Sequence, residues 1–431
     1  MKSGKNPLAL LPLAVFLALF LGSGIYFNSK GVEFAFYQLP SPVAAVAGIT
    51  VAFILFKGSL DEKMESFISG VGDSNIIIMC MIYLLAGAFS TVANAMGGVD
   101  STVNFGLSVI PPNMILPGLF IISAFVSTAM GTSMGTIAAV CPIAVDMALK
   151  AQIPLAVAVG TVVGGAMFGD NLSMISDTTI AATRTQGCAM KDKFIMNFKI
   201  ALPAALITIA LLAFTGITGQ IPQGLEYNFI KILPYVSVLV LALMGMNVFL
   251  VLLIGIILAG AIGLADGSFT LISFTQKMYE GFGTMQEIFI LSLLIGGLAA
   301  MITKEGGIDY LLDFISRRIR SRKGAELGIG ALVSVADICT ANNTVAIVIT
   351  GPMAKKMAEE NGVDPRRSAS MLDIFSCVWQ GIIPYGAQLL LAGSIAKLSP
   401  VEIMPFLYYP YLLGFMALAA IAFGIPRAIR S

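Results

Sequence analysis

The sequence contains no histidine. That removes histidine metal sites, a haem axial histidine and the commonest general base. Charge is scarce: 11% of the 431 residues are Asp, Glu, Lys or Arg, against about 25% in an ordinary soluble domain. The five cysteines, Cys80, Cys141, Cys188, Cys339 and Cys377, form no CxxC pair and lie mostly in apolar stretches, where cysteine packs as a small hydrophobe. No GxxxxGK[ST] loop is present, which argues against an ATP-driven pump. Net charge is only +1, so nothing invites a nucleic acid. What fills the chain is apolar: 57% of it is hydrophobic and the mean hydropathy is +0.91. Such a composition describes an all-α polytopic membrane protein, with the lipid bilayer as its first partner.

Apolar runs fall at about 7–27, 41–57, 75–94, 113–149, 154–182, 199–219, 229–246, 247–265, 285–303, 324–358, 368–396 and 404–426. The first lacks a small-residue cleavage site and reads as a retained span. Two runs, 113–149 and 324–358, are too long for one crossing and carry polar centres, GTSMGT (131–136) and TANNT (340–344). Basic segments flank the second run on both sides, at 304–323 and 355–367. By the positive-inside rule both its ends are cytoplasmic, so it is a re-entrant hairpin. With both runs read as hairpins, about ten spans remain and both termini are cytoplasmic. Twenty basic residues then lie on cytoplasmic segments, including four at 184–199. Five lie outside: Lys30, Lys150, Lys231, Lys277 and Lys397. No Lys or Arg is expected in the middle of any span, and the absence of a buried base favours a cationic cargo.

The two halves repeat. LLAGAF (84–89) matches LIGGLA (294–299), MGGVD (96–100) matches EGGID (305–309), and Pro142 matches Pro352, at shifts of 209 to 210. The repeats are expected at 1–220 and 221–431. Each holds five spans and one hairpin, and an odd number of spans inverts the second relative to the first. Inverted repeats characterise many secondary transporters, whose broken helices bind cargo near the midplane.

The candidate site residues are the polar groups at membrane depth. The hairpin tips offer Thr132, Ser133, Thr136, Thr340, Asn342 and Asn343 as oxygen ligands. The run GGAMFGDNLSMISDTT (164–179) adds Asp170, Asn171, Ser173, Ser176, Asp177 and Thr178. Its polar middle in an apolar segment predicts an unwound helix or a cavity face. A carboxylate there is costly unless it is solvated, paired or protonated, which suits a group that exchanges protons. The second half supplies Asp337, Asp373 and Gln380, the last falling where Asp170 falls in the first half. Asp170 and Asp373 are the acids expected to hold Na+. Without histidine or a clear nucleophile–base pair, an enzyme is not expected, nor is any cofactor beyond Na+ and H+ as transported or coupling ions.

The run FGDNLSMISDTT (168–179), following the GTSMGT hairpin, resembles the NhaC-type sodium/proton antiporter family. The stretch from Asp373 through Ile383, Pro384 and Tyr385 is similar to that family's second signature. The resemblance implies the inverted-repeat fold of the wider ion-transporter superfamily and an elevator motion of the transport domain. It implies Asp170, Ser173, Ser176, Asp177, Thr178 and Asp373 as site residues, a site in the cytoplasmic membrane and, by analogy, a homodimer. Na+/H+ antiport is the first expectation. Coupled transport of an amino acid or small carboxylate on the same fold is the alternative.

Overall fold

The computed structural model describes residues 5–425, apart from 31, 33–37, 110, 175, 216–224, 245 and 317–320. The expected boundary between the halves, at 220, falls outside the described residues, as do Arg317, Arg318 and Arg320 of the basic segment. Every regular element among the described residues is helical. The first half runs α1 (Leu11–Ser29), α2 (Ser41–Leu55), α3 (Leu60–Val71), α4 (Ser74–Ala95), α5 (Gly98–Val109), α6 (Ile115–Met130), α7 (Ser133–Lys150), α8 (Leu155–Leu172), α9 (Asp177–Gln186) and α10 (Met190–Phe214). The second runs α11 (Phe229–Leu243), α12 (Val248–Ala265), α13 (Leu271–Thr284), α14 (Gln286–Lys304), α15 (Gly307–Ser316), α16 (Arg322–Thr340), α17 (Asn343–Glu360), α18 (Pro365–Gln380), α19 (Ala387–Ala396), α20 (Pro400–Ile403) and α21 (Tyr408–Phe423). The helix starts repeat at one constant shift, the same that separates Pro142 from Pro352. Ser133, Leu155, Asp177 and Met190 open α7 to α10, and Asn343, Pro365, Ala387 and Pro400 open α17 to α20.

Seven helices are long and apolar enough to cross a bilayer, or eight if α19 and the segment Pro400–Phe406, bent by 96° at their junction, form one span. Several expected spans form shorter apolar helices, among them Ser41–Leu55 and Tyr408–Phe423. The apolar run at 368–396 is cut into α18 and α19 around Pro384, whose ring nitrogen cannot donate to a helix.

Both long polar-centred runs break at their tips. In the first, α6 ends at Gly131 with φ 70°; in the second, α16 ends at Ala341 with φ 52°. Each left-handed residue stops its helix and reverses the chain. The arms then pack side by side, α6 on α7 and α16 on α17. Asn342 caps α17 by accepting from the Val345 amide at 3.0 Å.

The tip of the first hairpin is held against α8 by an unusually close helix crossing. A Cβ on Gly169 would lie 2.4 Å from the Ser127 Cβ and 2.5 Å from the Ala124 carbonyl of α6. The Ser127 hydroxyl donates to the Ala166 carbonyl at 2.6 Å. The residue after Gly169 is Asp170, so this crossing places the carboxylate at the hairpin tip. Gly169→Ala should therefore drive backbone from backbone and cost about 1–3 kcal/mol, read as a fall in Tm. Gly118→Ala on the same hairpin arm meets nothing within 4 Å and should leave Tm unchanged or raise it.

Candidate functional site

Four helix breaks meet in one place. A chamber of about 100 Å³ is walled by the first tip (Gly131, Thr132, Ser133, Met134), the second tip (Asn342, Asn343, Thr344), the α8–α9 break (Asp170, Ser176, Asp177, Thr178) and the α18–α19 break (Gln380, Gln388). Ile78 and Ile82 of α4 close it with apolar surface. Non-helical backbone at membrane depth survives only where it is buried in protein or lines such a cavity.

Asp170 is buried on this wall. Its Oδ2 accepts from the Ser133 hydroxyl at 2.8 Å and its Oδ1 from the Ser176 hydroxyl at 2.5 Å. Ser176 is also 2.9 Å from the Thr178 hydroxyl. A chain of side chains leads on from Ser133. Gln388 donates to it at 3.0 Å, and Gln380 donates to Gln388 at 2.7 Å. Gln380 also reaches the Ala341 carbonyl in the second tip at 3.2 Å. One carboxylate is thus tied to both hairpins.

Behind this wall lies a second cluster. Asp373 on α18 accepts three donors on one oxygen: Lys193 at 2.6 Å, Asn171 at 2.8 Å and Asn197 at 2.8 Å. The Lys193 ammonium also donates to the Asn171 carbonyl at 2.7 Å and to the Thr179 hydroxyl at 2.7 Å. The Lys193 and Asp373 side chains are 1% and 0% exposed. This corrects the expectation that no base lies inside a span. The segment 184–199 is not all loop, because α10 begins at Met190 and carries Lys193 inward on its first turn. The inference to a cationic cargo from a missing buried base falls with it.

The other expected residues divide. Asp177 lines the chamber but is exposed. The helix breaks between it and Asp170, so the two acids do not share one helical face. Thr136 is buried, and its hydroxyl returns to the Thr132 carbonyl at 3.1 Å. Ser173 is buried and offers its carbonyl to Thr179 at 2.7 Å. Thr340 and Asn342 line a separate cavity of about 610 Å³ reaching Glu65, Asp73 and Lys304; Asn342 stands in both walls. Asp337 is fully buried on α16 outside the chamber wall. Sequence reasoning misses Gln388, Lys193 and Asn197. Gln388 does carry a signal, since it is the repeat counterpart of Thr178.

Removing one member of a buried ion pair strands the other and costs about 3–5 kcal/mol, whereas removing both is far milder. Lys193→Gln and Asp373→Asn should each lower Tm markedly, and the double variant should recover most of the loss in a thermal unfolding series.

A family model described as the Na+/H+ antiporter family matches residues 8–217 and 220–425. The malate-2H+/Na+-lactate antiporter of Bacillus subtilis (strain 168) is 22% identical, covering 96% of this chain and 93% of its own. The Na+/H+ antiporter NhaC of the same organism is 24% identical, covering 85% and 88%. Among solved structures, the Alcanivorax borkumensis YdaH transporter aligns over 98% of this chain and 99% of its own, at 13% identity and a TM-score of 0.43. Matched along nearly its whole length by the family model, this multi-pass membrane protein belongs to the Na+/H+ antiporter family of secondary transporters.

Proposed function

We propose that the protein exchanges Na+ for H+ across the cytoplasmic membrane, with both ions competing for Asp170. The observation that carries this reading is a single buried carboxylate held by hydroxyls from a hairpin tip and a helix break. A chamber of about 100 Å³ has room for an ion and a few waters, each taking about 30 Å³. Ser133, Ser176 and Thr178 stand ready as oxygen ligands around the carboxylate. Binding either ion excludes the other, and that exclusion couples their movements.

Alternating access follows from moving the hairpins and broken helices as one body. In this reading the two halves are inverted repeats, the motion is of the elevator type and both termini are cytoplasmic. The cavity that meets the chamber at Asn342 also reaches Lys304, in the segment assigned to the cytoplasm. It serves as the inward vestibule. A homodimer fits the elevator reading, in which a fixed partner surface anchors the scaffold.

A second reading makes Na+ or H+ the driving ion for an amino acid or small carboxylate. The N-terminal ends of α7, α9, α17 and α19 all contribute chamber-lining residues, and helix N-termini favour anions. The Bacillus relative named for malate and lactate supports it.

Proteoliposomes reporting ΔpH by fluorescence, titrated with Na+, Li+ and K+, separate the two. Antiport predicts a Na+ or Li+ response that Asp170→Asn abolishes. Ser133→Ala should raise the KM for Na+ about tenfold, the scale of one hydrogen bond to a charged group, with a smaller effect on kcat. A folded protein that gives no cation response but takes up malate, lactate or an amino acid would establish the second reading.

A further inference from the structure

How many ions the chamber takes depends on how many negative charges it offers: Asp170 is the buried acid of its wall, Asp177 the exposed one, and Asp373 lies buried behind it. Asp373 accepts from the side chain of Asn171, the residue next to Asp170, at 2.8 Å. Two bare carboxylates in low dielectric would hold two cations or share a proton. Asp373 is not bare. The Lys193 ammonium has three N–H donors and meets three acceptors: Asp373, the Asn171 carbonyl and the Thr179 hydroxyl. Nothing is left over on the ammonium for a cargo. Neither member of the pair lines the chamber.

The repeat supplies an independent argument. At the shift that relates the helix starts of the two halves, Lys193 corresponds to Ile403 and Asp373 to Val163. Both counterparts are fully buried apolar side chains. Lys193 belongs to the first half and Asp373 to the second, so the repeat-related pair is Ile403 with Val163; the fold packs that position without ions, whereas the ion pair stands behind the wall that carries Asp170.

We propose that Lys193 is an internal counter-ion. It cancels the charge of Asp373 and leaves Asp170 as the one buried carboxylate of the chamber wall able to take an ion, the wall's other acid, Asp177, being exposed, so the buried site of each chain binds a single monovalent cation. The inference rests on the Na+/H+ reading of the chamber and assigns Lys193 a positioning role, acting through Asp373.

The test is equilibrium binding of radiolabelled Na+ to the purified full chain in lipid nanodiscs at fixed alkaline pH. The proteins are the unaltered chain, Asp373→Asn, Lys193→Gln and the double variant. The unaltered chain should bind one Na+ with a Hill coefficient near one. Asp373→Asn bares an ammonium beside Asp170 and should weaken Na+ about tenfold or more, given a unit charge at an effective dielectric of about 20. Lys193→Gln bares an acid and should tighten Na+ or add a second ion. The double variant should return to one ion with affinity within about threefold of the unaltered chain, the scatter expected of compensating changes.

Opposite shifts that cancel are the signature of charge compensation. A lysine that only held helices together would weaken binding in both single variants, and that result would overturn the proposal. So would two ions in the unaltered chain, or a double variant as weak as Asp373→Asn, which would make Asp373 a ligand. If the single variants do not fold, the double variant decides alone on the same criterion. Na+ binding that survives Asp170→Asn would instead refute the reading of the chamber itself, whatever the Lys193 series shows.

Discussion

Hydrocarbon offers no hydrogen bonds, so every peptide group that leaves a helix inside the bilayer must find its partner in the protein. Four helices of this chain are interrupted, and the rest of the site follows from their having to satisfy one another. The breaks converge, and their side chains are those that can bond in several directions. Ser133 gives its proton to Asp170 and receives one from Gln388; Gln380 spans from Gln388 to the opposite tip. A network of this kind is stiff where it is satisfied, so a change at the carboxylate is felt at both hairpins.

The same constraint explains the asymmetry between the halves. Element starts recur at a constant shift, yet the chemistry does not. Asp170 faces Gln380 across the repeat, and Lys193 and Asp373 correspond to apolar residues. The breaks recur at one spacing, yet the ion pair takes one member from each half, Lys193 from α10 and Asp373 from α18, and only Asp170 is a buried acid in the chamber wall. A second buried acid at the position of Gln380 would have brought two like charges together in a chamber of about 100 Å³, where each hinders ionisation of the other.

Much of this is legible in the sequence because it depends on local chemistry. GTSMGT and TANNT announce their breaks by polarity in overlong apolar runs. Asp170 stands out as an acid at membrane depth, and the repeat shift points to Gln380, which lines the same chamber. What is not legible depends on partners far along the chain. Lys193 lies beside Lys191 and near Lys199, so a hydropathy reading sees a basic loop; only the inward start of α10 and the distant Asp373 make it a core residue. Asp177 follows Asp170 by seven residues, but the helix breaks between them, and Asp177 lines the chamber as an exposed residue while Asp170 is buried. Asp337 looks equivalent to the other acids because sequence shows depth but not which side of a wall a residue occupies.

The central claim is that Na+ and H+ compete for one carboxylate. Its most direct test is the apparent Kd for Na+ of the purified protein as a function of pH. Competition requires the Kd to rise by about tenfold for each unit of acidification once Asp170 is mainly protonated, and to level off at alkaline pH. A Kd that stays constant through acidification in a folded, Na+-binding protein would contradict the account.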